Sequence, residues 1–177
     1  DQRLLDWSTF LCEYSACLPP LPEGKAAWLP GNNIVYRRAL LARFREVTAE
    51  GKWENRLHEA MQAEGIALYC DATLIVGHKK HFGFLEYNGQ RYLYSRSYAG
   101  SRVREAPRSR RVMMGLAAFA LPPLLLVRIL RTNLGKGVSP ALVATTLPFI
   151  VVYVSAWAVG EIVGYWFGAG DSLARVR

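Results

Sequence analysis

The chain has 177 residues, of which 51% are hydrophobic, and it carries a formal net charge of +8. This length accommodates one soluble core together with a membrane segment, but it is short for two complete enzymatic domains. Three cysteines (Cys12, Cys17 and Cys70) form no CxxC pair, so the sequence predicts neither a disulfide framework nor a zinc site, and a reducing compartment fits best.

The first third of the chain predicts two helices separated by loops. Apolar residues between Leu4 and Ser15 recur at helical spacing, and Pro19-Pro20 ends that segment because proline rings cannot continue a helix. Residues 30–33 then form a turn-prone cluster, and the short apolar run 34–36 follows it. We expect a second helix to begin at Arg37-Arg38 and to continue through Phe44.

A clearer helix is predicted from Lys52 to Glu64. Trp53, Leu57 and Met61 recur on one helical face, so Trp53 and Met61 should point inward. Gly65 follows directly and is well placed to end the helix, because glycine tolerates the left-handed backbone conformation found there.

One or two strands and a further helix come next. Residues 66–70 alternate between apolar and polar side chains, and Thr73 to Val76 is a β-branched run, which favours strands. From Phe84 to Ala99 aromatic residues and arginines mix at spacings compatible with a helix.

Two apolar segments in the last third predict membrane helices. Ala141 to Gly160 holds no charge and is long enough to cross the hydrocarbon core of a bilayer. Ser139-Pro140 supplies an N-cap and a proline at the first helical position. The run from Val112 to Val127 is shorter and contains Pro122-Pro123, which leaves a kinked, tilted or partly re-entrant segment open. We place the two membrane helices at about 111–131 and 140–167.

The distribution of positive charge predicts the orientation of this hairpin. Basic residues flank it on one side, whereas fewer lie in the loop between the helices, so the soluble part should face the cytoplasm. A basic cluster directly beside a membrane helix faces anionic lipid headgroups rather than nucleic acid. Glu161, near the end of the second segment, is expected to reach headgroups or to pair with an arginine, and the alternative is a functional partner inside the bilayer. The flanking residues are Arg102, Arg104, Arg108, Arg110, Arg111, Arg175 and Arg177, against Arg131 and Lys136 in the loop.

One ordered group of residues in the soluble part is a candidate active site. Gly31 and Asn33 precede the pair Arg37-Arg38, and an acidic residue, Glu54, stands at a helix start. This order resembles the acceptor half of the large inverting glycosyltransferase family usually numbered two, whose catalytic domain has the GT-A fold. The resemblance, aligned on Gly65, makes Glu54 the general base.

Later residues extend the resemblance. His78 follows the last predicted strand, and Gln90-Arg91 with Arg96 lie in an amphipathic stretch beside the membrane, as the family's histidine, glutamine and arginines do. The resemblance implies that these residues, with Gly31, Asn33, Arg37 and Arg38, bind substrate. Guanidinium groups suit phosphate, either of the leaving nucleotide or of a lipid-phosphate acceptor. The alternative for the arginines is a basic surface near headgroups, and for Glu54 it is an acid that complements the helix dipole.

The donor side of such an enzyme is expected elsewhere. The family binds its nucleotide sugar in an amino-terminal α/β half with a divalent metal, Mg²⁺ or Mn²⁺, at a DxD motif, and no DxD occurs in this sequence. The chain begins at Asp1 rather than at a methionine, so we expect it to be a piece of a longer protein. Because the donor half is expected upstream, this piece alone should be inactive. No metal site is predicted in these residues.

The sequence therefore predicts an α+β chain. Residues 1–104 would form part of a GT-A-type catalytic domain, and residues 105–177 a membrane domain in the bacterial inner membrane. The predicted partners are a nucleotide sugar, a sugar or lipid acceptor and membrane lipid, without nucleic acid; the oligomeric state stays open. A different class of function is a non-enzymatic membrane adaptor whose basic soluble face recruits anionic lipid or a partner protein.

Overall fold

A computed structural model describes residues 2–49, 54–77, 79 and 81–176, without the side chains of Ala49 and Glu54. The chain divides into two compact units. The mixed unit is Cys17–His78, and the helical unit combines Asp1–Ala16 with Lys79–Arg177.

The mixed unit contains a short two-stranded sheet and a group of helices. Strand β1 (Gly24–Ala26) pairs in antiparallel fashion with β2 (Leu68–Cys70). The helices are α2 (Arg38–Arg43), α3 (Arg45–Ala49) and α4 (Glu54–Ala63). Phe44, Leu57 and Met61 form the apolar core between these helices. Leu57 and Met61 are four residues apart, so one face of α4 supplies most of this core.

The end of α4 follows the prediction from its sequence. Gly65 has a φ of 78°, in the left-handed region that favours glycine. The backbone N–H of Ile66 donates to the carbonyl of Met61 at 2.9 Å, which closes the last turn. Met61 is fully buried, as expected. The inward direction predicted for Trp53 lies outside the described residues.

The strand predicted from Thr73 to Val76 is wrong. Asp71 accepts hydrogen bonds from the backbone N–H of Thr73 at 2.9 Å and from its hydroxyl at 2.6 Å, so this stretch begins as a side-chain-stabilised turn. Ile75 is 71% exposed and has no neighbouring strand in the described part of the unit. Strand β1 was not predicted, because Gly24 lies among loop-forming residues.

The helical unit consists of long helices with short connections. Its helices are α1 (Leu4–Glu13), α5 (Phe84–Arg102), α6 (Arg108–Ala117), α7 (Leu121–Gly135) and α8 (Pro140–Phe167). Two stretches, Arg108–Gly135 and Pro140–Phe167, are each 28 residues long and apolar enough to cross a membrane. The two apolar helices are thus confirmed at the level of length and composition.

The two apolar stretches differ in how they begin and bend. The Ser139 hydroxyl accepts a hydrogen bond from the backbone N–H of Leu142 at 3.1 Å, so the predicted N-cap of α8 is confirmed. Between α6 and α7, a 3-10 turn at Ala118–Ala120 precedes Pro122-Pro123. This local tightening accommodates the two prolines, which have no backbone N–H to donate to a carbonyl of the preceding turn.

Helix α5 packs along α8, and the two run parallel. Phe84 contacts Phe149 at one end, and Ala99 faces Gly164 at the other. Small residues permit this close approach: a methyl group on Gly164 would lie 2.5 Å from the carbonyl oxygen of Arg96. Gly160, one turn earlier, faces Ser95 in the same way. Pairs of small residues four apart are typical of closely packed membrane helices.

The sequence assigned α5 to the catalytic domain, whereas in the structure α5 shares the helical unit with α8. Ring contacts between Tyr87 and Tyr153, with centroids 4.6 Å apart, add to this interface. The predicted functional boundary near residue 104 stays a prediction, because a shared packing unit does not decide which residues take part in one activity.

Candidate functional site

Hydrogen bonds within the mixed unit stabilise the turn that carries Gly31 and Asn33. The backbone N–H of Asn33 donates to the carbonyl of Pro30 at 3.0 Å, and its side-chain amide donates to the carbonyl of Leu74, also at 3.0 Å. Gly31 is exposed and Asn33 half-buried. The amide of Asn33 therefore links the turn at residues 30–33 to the loop that carries Leu74.

The paired arginines follow at the start of α2. Arg37 is the N-cap residue and Arg38 the first residue of the helix, and both side chains are exposed. The backbone N–H groups of Leu40 and Leu41 donate to the Arg37 carbonyl, so the helix start fixes the backbone from which both guanidinium groups extend. Exposed forked donors can bind a phosphate bidentately.

A partly buried hydrogen bond links this region to α4. The Tyr36 hydroxyl and the His58 Nε2 atom are 2.7 Å apart, and His58 is only 2% exposed. Tyr36 directly precedes Arg37, and His58 lies one turn after Glu54. The contact therefore joins the arginine-bearing segment to the first half of the helix that begins at Glu54.

Two further contacts hold α4 against the segment that follows β1. Trp28 donates from its indole N–H to the Asn55 side-chain oxygen at 2.5 Å, and the Gln62 amide donates to the Ala27 carbonyl at 2.9 Å. Asn55 and Gln62 are seven residues apart and so lie on one face of the helix. Helix α4 is therefore oriented by side-chain contacts as well as by its apolar core.

The remaining predicted binding residues lie on α5, in the helical unit. Gln90 is buried. Arg91 is half-buried with its guanidinium carbon 4.1 Å from the centroid of the Trp157 ring, an arrangement typical of a cation–π contact. The Arg96 Nε donates to the Gly168 carbonyl at 3.2 Å. His78 lies outside the described residues.

These contacts give Arg91 and Arg96 roles within the fold. Both guanidinium groups extend from α5 to α8, one onto a ring and one onto a backbone carbonyl. Nearby, burial raises the pKa of Tyr87 well above its usual value, and its hydroxyl donates to the Thr9 carbonyl at 3.4 Å. A neutral, buried phenol at this position is a packing group that joins α1 to α5.

The structure corrects the expectation for Glu161. Glu161 is 7% exposed and accepts a hydrogen bond from the Trp157 indole at 2.7 Å, so it neither reaches headgroups nor forms a described ion pair with an arginine. A carboxylate inside an apolar helix is costly unless it is hydrogen-bonded, and Trp157 supplies that donor from the same helix.

A cleft of about 410 Å³ lies where α6 begins and α8 ends. Its lining residues are Arg108, Arg111, Val112 and Trp166. Arg111 donates from Nε to the Tyr165 carbonyl at 3.0 Å and from a terminal nitrogen to the Trp166 carbonyl at 3.1 Å. These bonds satisfy carbonyl groups in the last turn of α8, which have no partner within the helix.

Sequence reasoning missed the small-residue contact between α5 and α8, although its signal is visible in the sequence. Gly160 and Gly164 are four residues apart, as are Ser95 and Ala99. Such spacing places small residues on one helical face. It also missed the Tyr36–His58 contact, for which a local pattern gives no signal because the partners are far apart in the chain.

No group of three or more His, Cys, Asp or Glu side chains among the described residues could hold a metal ion. No protein family model, curated protein or solved structure matches the chain.

Proposed function

We propose that the chain is the acceptor-side part of a membrane-anchored inverting glycosyltransferase, which moves a sugar from a nucleotide-sugar donor to an acceptor hydroxyl or a lipid phosphate. The order of sequence features carries this proposal: a glycine–asparagine turn, paired arginines, an acid at a helix start, a helix-ending glycine and then a membrane hairpin. A helix that begins at Glu54 and ends before Gly65 supports it.

Glu54 is the proposed general base. As the acceptor oxygen attacks the anomeric carbon, its hydroxyl proton passes to the carboxylate, and the nucleoside diphosphate departs from the opposite face of the sugar with inversion. A position at a helix start keeps a carboxylate ionised, because the positive end of the helix dipole stabilises negative charge. The contact of Tyr36 with His58 ties this helix to the segment that carries Arg37.

Arg37 and Arg38 are proposed to stabilise negative charge on the acceptor side. Both side chains are exposed on the same unit as α4, which leaves their donors available to a phosphate group. A lipid phosphate is already an anionic nucleophile, so with that acceptor the demand on Glu54 as a base is smaller than with a neutral hydroxyl. The effect of changing Glu54 therefore also distinguishes the two acceptor classes.

The fold and the cofactor of the complete enzyme belong to the same proposal. The GT-A fold would be completed by a donor-binding α/β half that supplies the nucleotide-sugar site and its Mg²⁺ or Mn²⁺. The described residues offer no set of metal ligands, so the steps proposed here use only the side chains of this chain. The apolar helices would hold the catalytic part at the cytoplasmic face of a bacterial inner membrane.

The test is Glu54→Gln in the full-length protein, assayed in native membranes with a panel of radiolabelled nucleotide sugars. With a hydroxyl acceptor, transfer should fall by about 100-fold or more, because positioned general bases typically contribute about 10²–10⁴-fold. Glu59→Gln is the matched control, since Glu59 is an exposed carboxylate on the same helix. With an acceptor identified as a hydroxyl, equal transfer by the two variants would remove Glu54 from the role.

The adaptor function has one observation in its favour: Arg104, Arg108 and Arg110 are all exposed beside the apolar helices. Such a cluster attracts anionic lipid whether or not the protein is an enzyme. The coding sequence upstream of Asp1 separates the two functions. A DxD-bearing α/β segment favours the transferase, whereas an initiator methionine immediately before Asp1 favours the adaptor.

A further inference from the structure

The cleft between α6 and α8 has a positively charged side chain at one end and exposed apolar side chains along one wall. Arg108, Val112 and Leu116 are spaced four residues apart on α6 and therefore lie on one helical face. Phe119 continues this line in the 3-10 turn and is 61% exposed. A positive charge thus stands at one end of a strip of exposed apolar side chains.

Trp166 forms the second wall of the cleft. Its ring centroid is 6.3 Å from that of Phe119, and its indole N–H donates to the Val112 carbonyl at 3.4 Å. Gly115 makes this position possible, because a methyl group there would overlap the indole ring. The tryptophan is therefore seated on α6 beside the strip.

Arg111 and Arg108, at the charged end of the cleft, differ in whether their guanidinium groups are already hydrogen-bonded. Arg111 is held by the carbonyls of Tyr165 and Trp166, so two of its nitrogens are committed to the end of α8. Arg108 is exposed and lines the cleft, and no hydrogen bond or ion pair joins its guanidinium group to a described residue. Its guanidinium is the cation available to a ligand.

We propose that this cleft binds one anionic glycerophospholipid. Its phosphate diester would contact Arg108, with Arg111 behind it, and an acyl chain would follow Val112, Leu116 and Phe119 along the ring of Trp166. The chemistry requires an anionic head and an apolar tail in the same molecule, since the cleft joins the two kinds of surface. The proposal rests on membrane insertion, as in the proposed function, but not on sugar transfer.

The test uses the full-length protein reconstituted in nanodiscs of phosphatidylcholine with a minor fraction of phosphatidylglycerol. Native mass spectrometry measures the ratio of the two lipids that stay bound after release from the nanodisc. Arg108→Gln should lower the phosphatidylglycerol enrichment about tenfold or more, because a charge-assisted hydrogen bond to the lipid phosphate is lost in addition to diffuse attraction. Arg108→Lys should keep most of it, because the charge is retained.

Arg110→Gln is the matched control. It removes the same charge two residues away, on another face of α6, and Arg110 does not line the cleft. Equal losses in the Arg108→Gln and Arg110→Gln variants would overturn the proposal in favour of diffuse attraction. Displacement of the lipid by millimolar inorganic phosphate would also overturn it, because a free anion would then satisfy the site.

Failure of membrane insertion is a separate outcome. Wild-type protein that does not co-elute with nanodiscs would contradict the membrane placement in both proposals. Wild-type protein that inserts but shows no phosphatidylglycerol enrichment would overturn the lipid site alone and would leave the proposed sugar transfer intact.

Discussion

Replacement of Gly164 by alanine tests the close contact between α5 and α8. The new methyl carbon would lie 2.5 Å from the Arg96 carbonyl oxygen and 2.8 Å from the Ala99 side chain. The carbonyl belongs to the backbone of α5 and cannot rotate away. The helices must therefore separate by about 1 Å to reach ordinary contact distances, which loosens the packing along the whole interface.

The free energy of unfolding lost through this clash can be isolated by a paired substitution. Overpacking typically costs about 1–3 kcal/mol, whereas alanine in place of glycine within a helix contributes about 1 kcal/mol in the opposite direction. Gly89→Ala on α5 carries the same helical gain, and a methyl group there meets nothing within 4 Å. The difference between the two variants therefore measures the clash.

The assay is thermal unfolding of the purified full-length protein in detergent micelles. Gly89→Ala should unfold at or above the wild-type midpoint. Gly164→Ala should unfold below Gly89→Ala by about 2–12 °C, at about 2–4 °C per kcal/mol for an unfolding unit of about 150–250 residues. The reasoning is refuted if Gly164→Ala is as stable as Gly89→Ala, because α5 would then not rest on this face of α8.

Two further predictions concern partly buried polar contacts. Tyr36→Phe removes the hydrogen bond to His58 and should lower the free energy of unfolding by about 1–2 kcal/mol, measured by denaturant titration. Asp6→Asn tests the acid sensitivity of the helical unit: the backbone N–H of Arg3 and then His81 lower the pKa of the Asp6 carboxyl. The folded state therefore binds this proton less readily than the unfolded state, so the carboxylate stabilises at neutral pH and loses that effect as the pH falls through its folded pKa. The gap in thermal midpoint between wild type and Asp6→Asn should accordingly narrow from pH 7 towards pH 3.

Each of these predictions has a matched control. Tyr69→Phe removes a hydroxyl from an exposed tyrosine on β2 and should leave the free energy of unfolding nearly unchanged. A loss as large as that of Tyr36→Phe would contradict the role given to the partly buried contact. Asp171→Asn changes an exposed carboxyl, and a pH dependence matching that of Asp6→Asn would show that the contacts of Asp6 are irrelevant.

Local signals in the sequence account for the parts of the fold that were predicted correctly. The caps of α8 and α4 depend on residues within a few positions of the helix end, so Ser139 and Gly65 could be recognised without a structure. The same holds for the two apolar stretches, whose length and composition are properties of the sequence itself.

The failures occur where the answer depends on distant partners. The run at 73–76 has side chains that suit a strand, but a strand also needs a neighbour, and the carboxylate of Asp71 closes a turn instead. The contacts of Arg91 and Arg96 were not foreseen either, because their partners Trp157 and Gly168 lie more than sixty residues later in the chain. The substrate-binding role of the two arginines stays a prediction. Sequence spacing within one segment contains no information about such a partner.

The small-residue face of α8 has a consequence for self-association. Glycines four residues apart on an apolar helix often pair the helices of two separate chains. Here Gly160 and Gly164 already receive Ser95 and Ala99 of the same chain, so the surface best suited to join two copies is filled from within. A dimer formed through α8 would have to use another side of that helix, such as the one that presents Val151, Val152 and Val159.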